Sequence, residues 1–239
     1  MKKTQQLPPL RTLLIFPFAV AIHLFQSNST ALAATEAFNI GGKEVAIAAP
    51  DDYCFLDKKY PGDARLLSIL SQANPANEII TMITPCQGLK KWRAGEQDTL
   101  DDLMSVQVMR STIQQDFTAT EKNTIQGICQ GMNIYPKEHM EQLMTQATDS
   151  VEAGSQIKVN NNEFLGVVEQ DQTTCYVGVL QNLIDEFGKP AITATVGAPQ
   201  VLKGKLFFQY ISADFENEQT FSQLVNRLQK FLGTQAELN

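Results

Sequence analysis

The most reactive side chains in the sequence are four cysteines, Cys54, Cys86, Cys129 and Cys175. None stands in a C-x-x-C pair, and the chain has only two histidines, His23 and His139, so a tetrahedral zinc site is not expected. Cys-Gln-Gly occurs twice, at Cys86–Gly88 and at Cys129–Gly131. A cysteine ahead of a flexible glycine suits a thiol enzyme only where a base and a reducing or protected setting keep it as thiolate. In an exported chain an even cysteine count reads instead as two disulfides. Four cysteines allow three connectivities, and the elements described below favour Cys54–Cys86 with Cys129–Cys175.

Other candidates are weaker. His139 lies in Glu138-His139-Met140-Glu141, which is not H-E-x-x-H, and the sequence contains no G-x-S-x-G elbow, Walker loop or G-x-G-x-x-G. The pairs Asp51-Asp52 and Asp101-Asp102 raise the alternative of a secreted hydrolase using carboxylates. Adjacent residues on a helix point about 100° apart, however, and so do not converge on one substrate atom. Capping and helix-dipole complementation account for them better. Lys90, Lys91, Trp92 and Arg93 gather three cations around the only tryptophan. That cluster suits a small anionic ligand, a lipid headgroup or an acidic partner surface, with Trp92 as anchor. The plainer reading is a half-buried tryptophan beside a solvated basic turn.

Residues 1–33 have the three parts of a secretory signal peptide. A basic start (Lys2, Lys3, Arg11) precedes an apolar run from Leu13 to Phe25, and Ala31-Leu32-Ala33 provides an A-x-A cleavage pattern before Ala34. The run is too short for a bilayer span, which needs about 20 residues. The protein is expected to be exported, periplasmic or secreted, with no transmembrane segment in the mature chain. The net charge is −7, and losing the leader makes the remainder still more acidic. Nucleic acid is therefore excluded as a partner, because phosphate binding needs an excess of Lys and Arg. No cofactor is called for.

The elements that must position these groups read as follows. Residues 38–49 form a strand broken by Gly41-Gly42. Asp63 caps a helix with Leu66, Leu67 and Leu70 on one face, stopped by Asn74-Pro75, and 78–84 (EIITMIT) is a buried strand. Cys54 and Cys86 each follow one of these strands, so neighbouring strands would bring them together. Thr99-Leu-Asp-Asp102 starts a helix, although Ser105–Met109 alternates like a strand. Thr118-x-x-Glu121 is a capping box ahead of a stripe formed by Ile125, Ile128, Cys129 and Met132. Pro136 opens a further helix with Met140, Leu143, Met144, Ala147 and Val151 on one face.

The last third is mostly strand. A hairpin over 163–170 and 173–181, turning at Asp171-Gln172, sets Val168 opposite Cys175 and Phe164 opposite Val179. Cys175 then points into an apolar face where a helix carrying Cys129 can reach it. A second hairpin, 191–202 with 205–212, turns at Lys203-Gly204, and its apolar residues on both faces predict cover on both sides. Pro199 belongs at an edge or a bulge. A final helix carries Phe221, Leu224, Val225, Leu228 and Leu232 and stops at Gly233.

The stretch Lys203-Gly-Lys-Leu-Phe-Phe-Gln-Tyr-Ile-Ser212, a few acids, and an amphipathic helix from Thr220 to Leu232 resemble the closing unit of PsbP-like domains. That resemblance implies an antiparallel sheet layered between helices and an exported or lumenal accessory role without enzymatic activity. The four cysteines and the helical insert depart from it, and it carries no functional residues. The sequence thus predicts a signal peptide (1–33) and one disulfide-stabilised α+β domain (34–239). That domain has an antiparallel sheet of about five or six strands in an α/β/α-like sandwich, with a helical insert at about 99–153. The expected function is that of an accessory or binding protein for an unknown protein or small anionic ligand.

Overall fold

The structure, a computed structural model, describes residues 34–239 except 98, 135–141, 143, 144, 146, 147, 150, 151, 153–157 and 185–187. The expected leader, His139 and the apolar stripe of the helix after Pro136 lie outside the described residues. Strands β1 (Thr35–Ile40) and β2 (Lys43–Ala48) form a hairpin through Gly41 and Gly42, both at positive φ. A two-residue turn of this hand suits the strand twist. Gly41 is also required for space, since a Cβ there would lie 2.1 Å from the Ile113 carbonyl oxygen.

Seven further strands make the main sheet: β3 (Tyr53–Phe55), β4 (Asn77–Pro85), β5 (Leu103–Met109), β6 (Lys158–Gln170), β7 (Cys175–Ile184), β8 (Pro190–Leu202) and β9 (Lys205–Asp214). Their order is β3-β4-β5-β9-β8-β7-β6, with every neighbour antiparallel. The described helices are α1 (Pro61–Ala73), α2 (Cys86–Arg93), α3 (Glu121–Ile134) and α4 (Gln219–Leu238). This is the expected α+β arrangement, with one strand more than the upper expectation. Two strands of the main sheet, β3 and β5, are not among those expected, while the strand expected at 38–49 forms the separate β1–β2 hairpin; β5 stands in place of the helix expected to start at Thr99. Asp102 turns the chain at φ 53°, and β5 then sits between β4 and β9 with Met104, Ser105, Val106, Gln107 and Val108 all buried. A central position covered on both faces outweighs a capping signal.

Side-chain alternation divides the core between the two faces of the sheet. Phe207 and Ile211 of β9 pack with Leu224, Val225, Leu228, Phe231 and Leu232 of α4. Leu206 and Phe208, on the other face, pack with Ile125, Ile128 and Cys129 of α3. Beside β4, Leu66, Leu67 and Leu70 of α1 and Leu89 and Trp92 of α2 enclose Leu56 and Met82. Fully burying such side chains contributes about 1.5–3 kcal/mol each. Pro199 lies just past the last β7–β8 pair, Val177 with Gly197, where its missing N–H leaves no ladder bond unmade.

Both disulfides are formed as expected, Cys54–Cys86 and Cys129–Cys175, with Cα separations of 4.9 and 5.7 Å. The geometry behind them differs in part. Cys54 belongs to a separate short strand, β3, opposite Thr84, and Cys86 opens α2. In the β6–β7 hairpin Phe164 does face Val179, but register shifts set Gln170, not Val168, opposite Cys175. The cause is a wider turn. Asp171 accepts the amides of Thr173 and Thr174 at 2.7 and 2.9 Å, and its own amide bonds the Thr174 carbonyl. The expected capping box is likewise replaced, because the Thr118 hydroxyl donates to Asp116 at 2.6 Å.

Helix α4 runs past Gly233 to Leu238, and its last turn explains why. Gln235, fully buried, bonds both the amide and the carbonyl of Ala48 at 2.9 Å. Four residues on, Asn239 does the same for Ala46 at 3.0 and 2.8 Å. With Lys203 donating to the Glu44 carbonyl at 3.0 Å, side chains occupy the outward edge of β2 at alternate residues, as a strand would. Lys205, 2% exposed, donates to the carbonyls of Ile113 and Gln115 at 3.0 and 2.9 Å and ties that loop to the β8–β9 turn. Gln235→Leu would strand the Ala48 donor and acceptor away from water, and is expected to lower stability by about 2–4 kcal/mol. Urea unfolding measures it.

Candidate binding surface

The cluster at Lys90–Arg93 forms the C-terminal half of α2. The Cys54–Cys86 disulfide fixes the start of this helix to β3. Its end is held by Arg93, which lies against the N-terminal turn of α1. The Arg93 Nε donates to Asp63 Oδ1 at 3.2 Å, and Nη2 pairs with Asp63 Oδ2 at 2.5 Å and reaches the Phe55 carbonyl at 3.4 Å. The Asp63 side chain has no solvent exposure. Its Oδ2 also accepts the Asp57 amide at 2.8 Å. Asp63 is thus not the helix cap that the sequence predicts. Tyr60 holds the N-cap position, Pro61 opens the helix, and the carboxylate one turn in anchors Arg93 and the 57–60 loop.

Arg93 also stacks on the ring of Tyr60, 3.8 Å from its centroid, and Lys59 approaches the same ring at 5.1 Å. Trp92 lies flat on Gly62, where a Cβ would come within 3.0 Å of the indole. One flank of Trp92 is buried in the Leu56–Met82–Leu89 cluster and the rest stays half exposed. Lys90 and Lys91 are exposed and make no ion pair or hydrogen bond through their ammonium groups with any described residue. Of the four residues picked out by sequence, Arg93 is therefore a structural strut, Trp92 is half core, and the two lysines are free cations. The structure adds Tyr60, exposed on the same junction, together with Lys58 and Arg65 on the loop and helix that it positions. No local pattern marked these, because Arg93 and Asp63 are 30 positions apart and meet only through the fold.

The paired acids serve other ends. Asp102 accepts Arg227 Nη1 at 2.8 Å, and the other terminal nitrogen of Arg227 donates to the Tyr53 hydroxyl. Burial, reinforced by Asp214 and Asp102, pushes the Asp101 carboxyl up. Asp52 sits in a turn at φ 63° with its carbonyl accepting the Cys86 amide at 2.8 Å. Burial alone would raise Asp171, but donors from Thr173, Thr174 and Tyr176 hold it below the usual carboxylate range. All four sulfurs are in disulfides, which leaves the thiol-enzyme alternative without a nucleophile. Among the described residues no group of three or more His, Cys, Asp or Glu could hold a metal ion, and no helix is long and apolar enough to cross a membrane.

Three phenols titrate high. Burial raises Tyr53 and lifts Tyr210 to about 12, while burial and the bond donated to Asp171 raise Tyr176 further. Each folded value lies above the unfolded value of about 10, so the folded state holds these protons more tightly. Their stabilising effect is complete below that value and is lost as pH rises through the folded range. Phenolate absorbance at alkaline pH is expected to show Tyr53, Tyr176 and Tyr210 ionising later than free tyrosine, and the lag disappears in denaturant.

No family model and no curated protein sequence matches the chain. Among solved structures, cyanobacterial PsbP (CyanoP) from Synechocystis sp. PCC 6803 is similar at 9% identity, over 89% of this chain and 96% of that one, with a TM-score of 0.35. LpqN, involved in cell envelope biogenesis of Mycobacterium tuberculosis, is similar at 9% identity, over 88% of this chain and 83% of that one, with a TM-score of 0.26. The chain bears a weak PsbP-like resemblance. No functional residue is carried over from either structure.

Proposed function

We propose that this chain is an exported accessory or binding protein, not an enzyme, and that it meets an anionic partner through Lys90 and Lys91 beside Trp92 and Tyr60. The leader pattern and the two disulfides fit an oxidising compartment. The observation that carries the reading is the Asp63–Arg93–Tyr60 lock. It neutralises the one cation of the Lys90–Arg93 cluster that is partly buried and holds Tyr60 against the helix that carries Trp92. Two ammonium groups with no partner among the described residues are left exposed on the same short helix, in a protein whose net charge is negative. A preorganised aromatic–cation surface of this kind loses little entropy on binding.

Trp92 is the only tryptophan, so its fluorescence reports the site. Titration with a sulfated heparin hexasaccharide, and separately with a polyglutamate peptide, is expected to change that fluorescence saturably. The affinity should fall as salt shortens the Debye length, which is about 8 Å at physiological strength. Lys90→Glu with Lys91→Glu is expected to weaken binding at least ~10-fold, while Lys122→Glu with Lys158→Glu leaves it unchanged. Preference for one probe separates a free polyanion from an acidic polypeptide surface. Equal losses in both double variants, or no saturation with either probe, would overturn the assignment.

A further inference from the structure

Among the described residues, the outer edge of β4 has a partner only at its C-terminal end. β3 pairs with Ile83, Thr84 and Pro85, and the Leu56 amide adds a hydrogen bond of 2.9 Å to the Met82 carbonyl. The chain then leaves at Asp57. From Thr81 back to Glu78, no strand and no side chain among the described residues pairs that edge. The contrast with β2 is direct, since there Gln235, Asn239 and Lys203 occupy the outward backbone groups. An uncovered edge of this kind is a template for another strand.

The open edge forms part of a groove of about 870 Å³. Leu67 and Ser71 of α1 wall one side, Glu36 and Phe38 of β1 wall the other, and Ile79 and Ile80 lie along β4. We propose that this groove receives an extended segment of a partner protein, which adds a strand to β4 and places an apolar residue against Phe38 and Ile80 and a lysine or arginine against Glu36. Unpaired backbone donors and acceptors call for an extended backbone, because a helix has already satisfied its own. A strand wedged between a helix and a hairpin presents alternate side chains to the two walls. The cation follows from charge. The Glu36 carboxylate makes no hydrogen bond or ion pair with a described residue, whereas Asp57 at the same rim is already paired with Lys59 at 2.5 Å. This groove borders the Lys90–Trp92 surface at Lys58 but includes none of Lys90, Lys91 and Trp92 in its lining.

The test uses the oxidised protein and a fluorescein-labelled peptide of about eight residues alternating valine and lysine, a length matched to common strands. Anisotropy should show saturable binding, and hydrogen exchange at the Glu78–Thr81 amides should slow in the complex. N-methylation of alternate peptide amides is expected to weaken binding at least ~10-fold. Glu36→Lys should weaken it by a similar factor and favour a valine–glutamate peptide, while Lys90→Glu with Lys91→Glu leaves it unchanged. Absence of saturation, indifference to N-methylation, or protection located away from β4 would overturn the proposal.

Discussion

Replacing Cys129 and Cys175 together by alanine is expected to lower the unfolding free energy by about 4 kcal/mol. The bond closes a separation of 46 residues, the longer of the two disulfide loops. Loop-closure entropy grows with the logarithm of that length, so the released unfolded chain gains most here. The sulfurs are also core atoms. Cys129 and Cys175 are 3% and 0% exposed and pack with Ile125, Val201 and Leu206. The cavity left by two alanines adds to the entropic loss. Helix α3 touches the sheet mainly through this small cluster, so its fraying should precede global unfolding. Urea denaturation followed by far-UV circular dichroism measures the change. Removing Cys54 and Cys86, 32 residues apart, should cost slightly less by the same arithmetic.

The second large effect is at Asp63. Asp63→Ala is expected to lower stability by about 3–5 kcal/mol, because Arg93 would keep its charge in a site from which water is largely excluded. The Asp57 amide loses its acceptor at the same time. The double variant Asp63→Leu with Arg93→Met is expected to recover much of the loss, since removing both charges removes the uncompensated one. The two variants differ in function as well as stability. Asp63→Ala frees the end of α2 and should weaken anionic probes under conditions where the protein remains folded. A cycle of urea midpoints with the two single variants and the double gives the coupling directly. Independent, additive effects would contradict a working Asp63–Arg93 pair.

Local signals served well where one element decides its own conformation. Gly41-Gly42 and Lys203-Gly204 are turns because of their backbone requirements, and the stripes of α3 and α4 follow from helical period. The disulfide pairing was readable because the approximate neighbourhood of strand ends survives small errors of register; the Cys175 register itself was off. What could not be read depends on partners far along the chain. Ser105–Met109 carries both a helix-start signal ahead of it and a strand alternation, and only its place between β4 and β9 decides the matter. Gly233 reads as a stop until Gln235 and Asn239 find the edge of β2, close to 190 positions away. In the same way, the Lys90–Arg93 run pointed to the proposed binding surface but not to its division of labour. Asp63, which takes Arg93 out of the binding role, looks like an ordinary helix-start acid in sequence.

The sulfur atoms are cross-links and not reagents, and the Cys54–Cys86 bond anchors α2. Alkylation of the non-reduced protein with iodoacetamide in denaturant, followed by proteolysis and mass spectrometry, tests this most directly. The expected result is no alkylated cysteine and two linked peptide pairs, one joining Cys54 to Cys86 and the other Cys129 to Cys175. An alkylated cysteine in the purified native protein, or linkage in either other pattern, would contradict it.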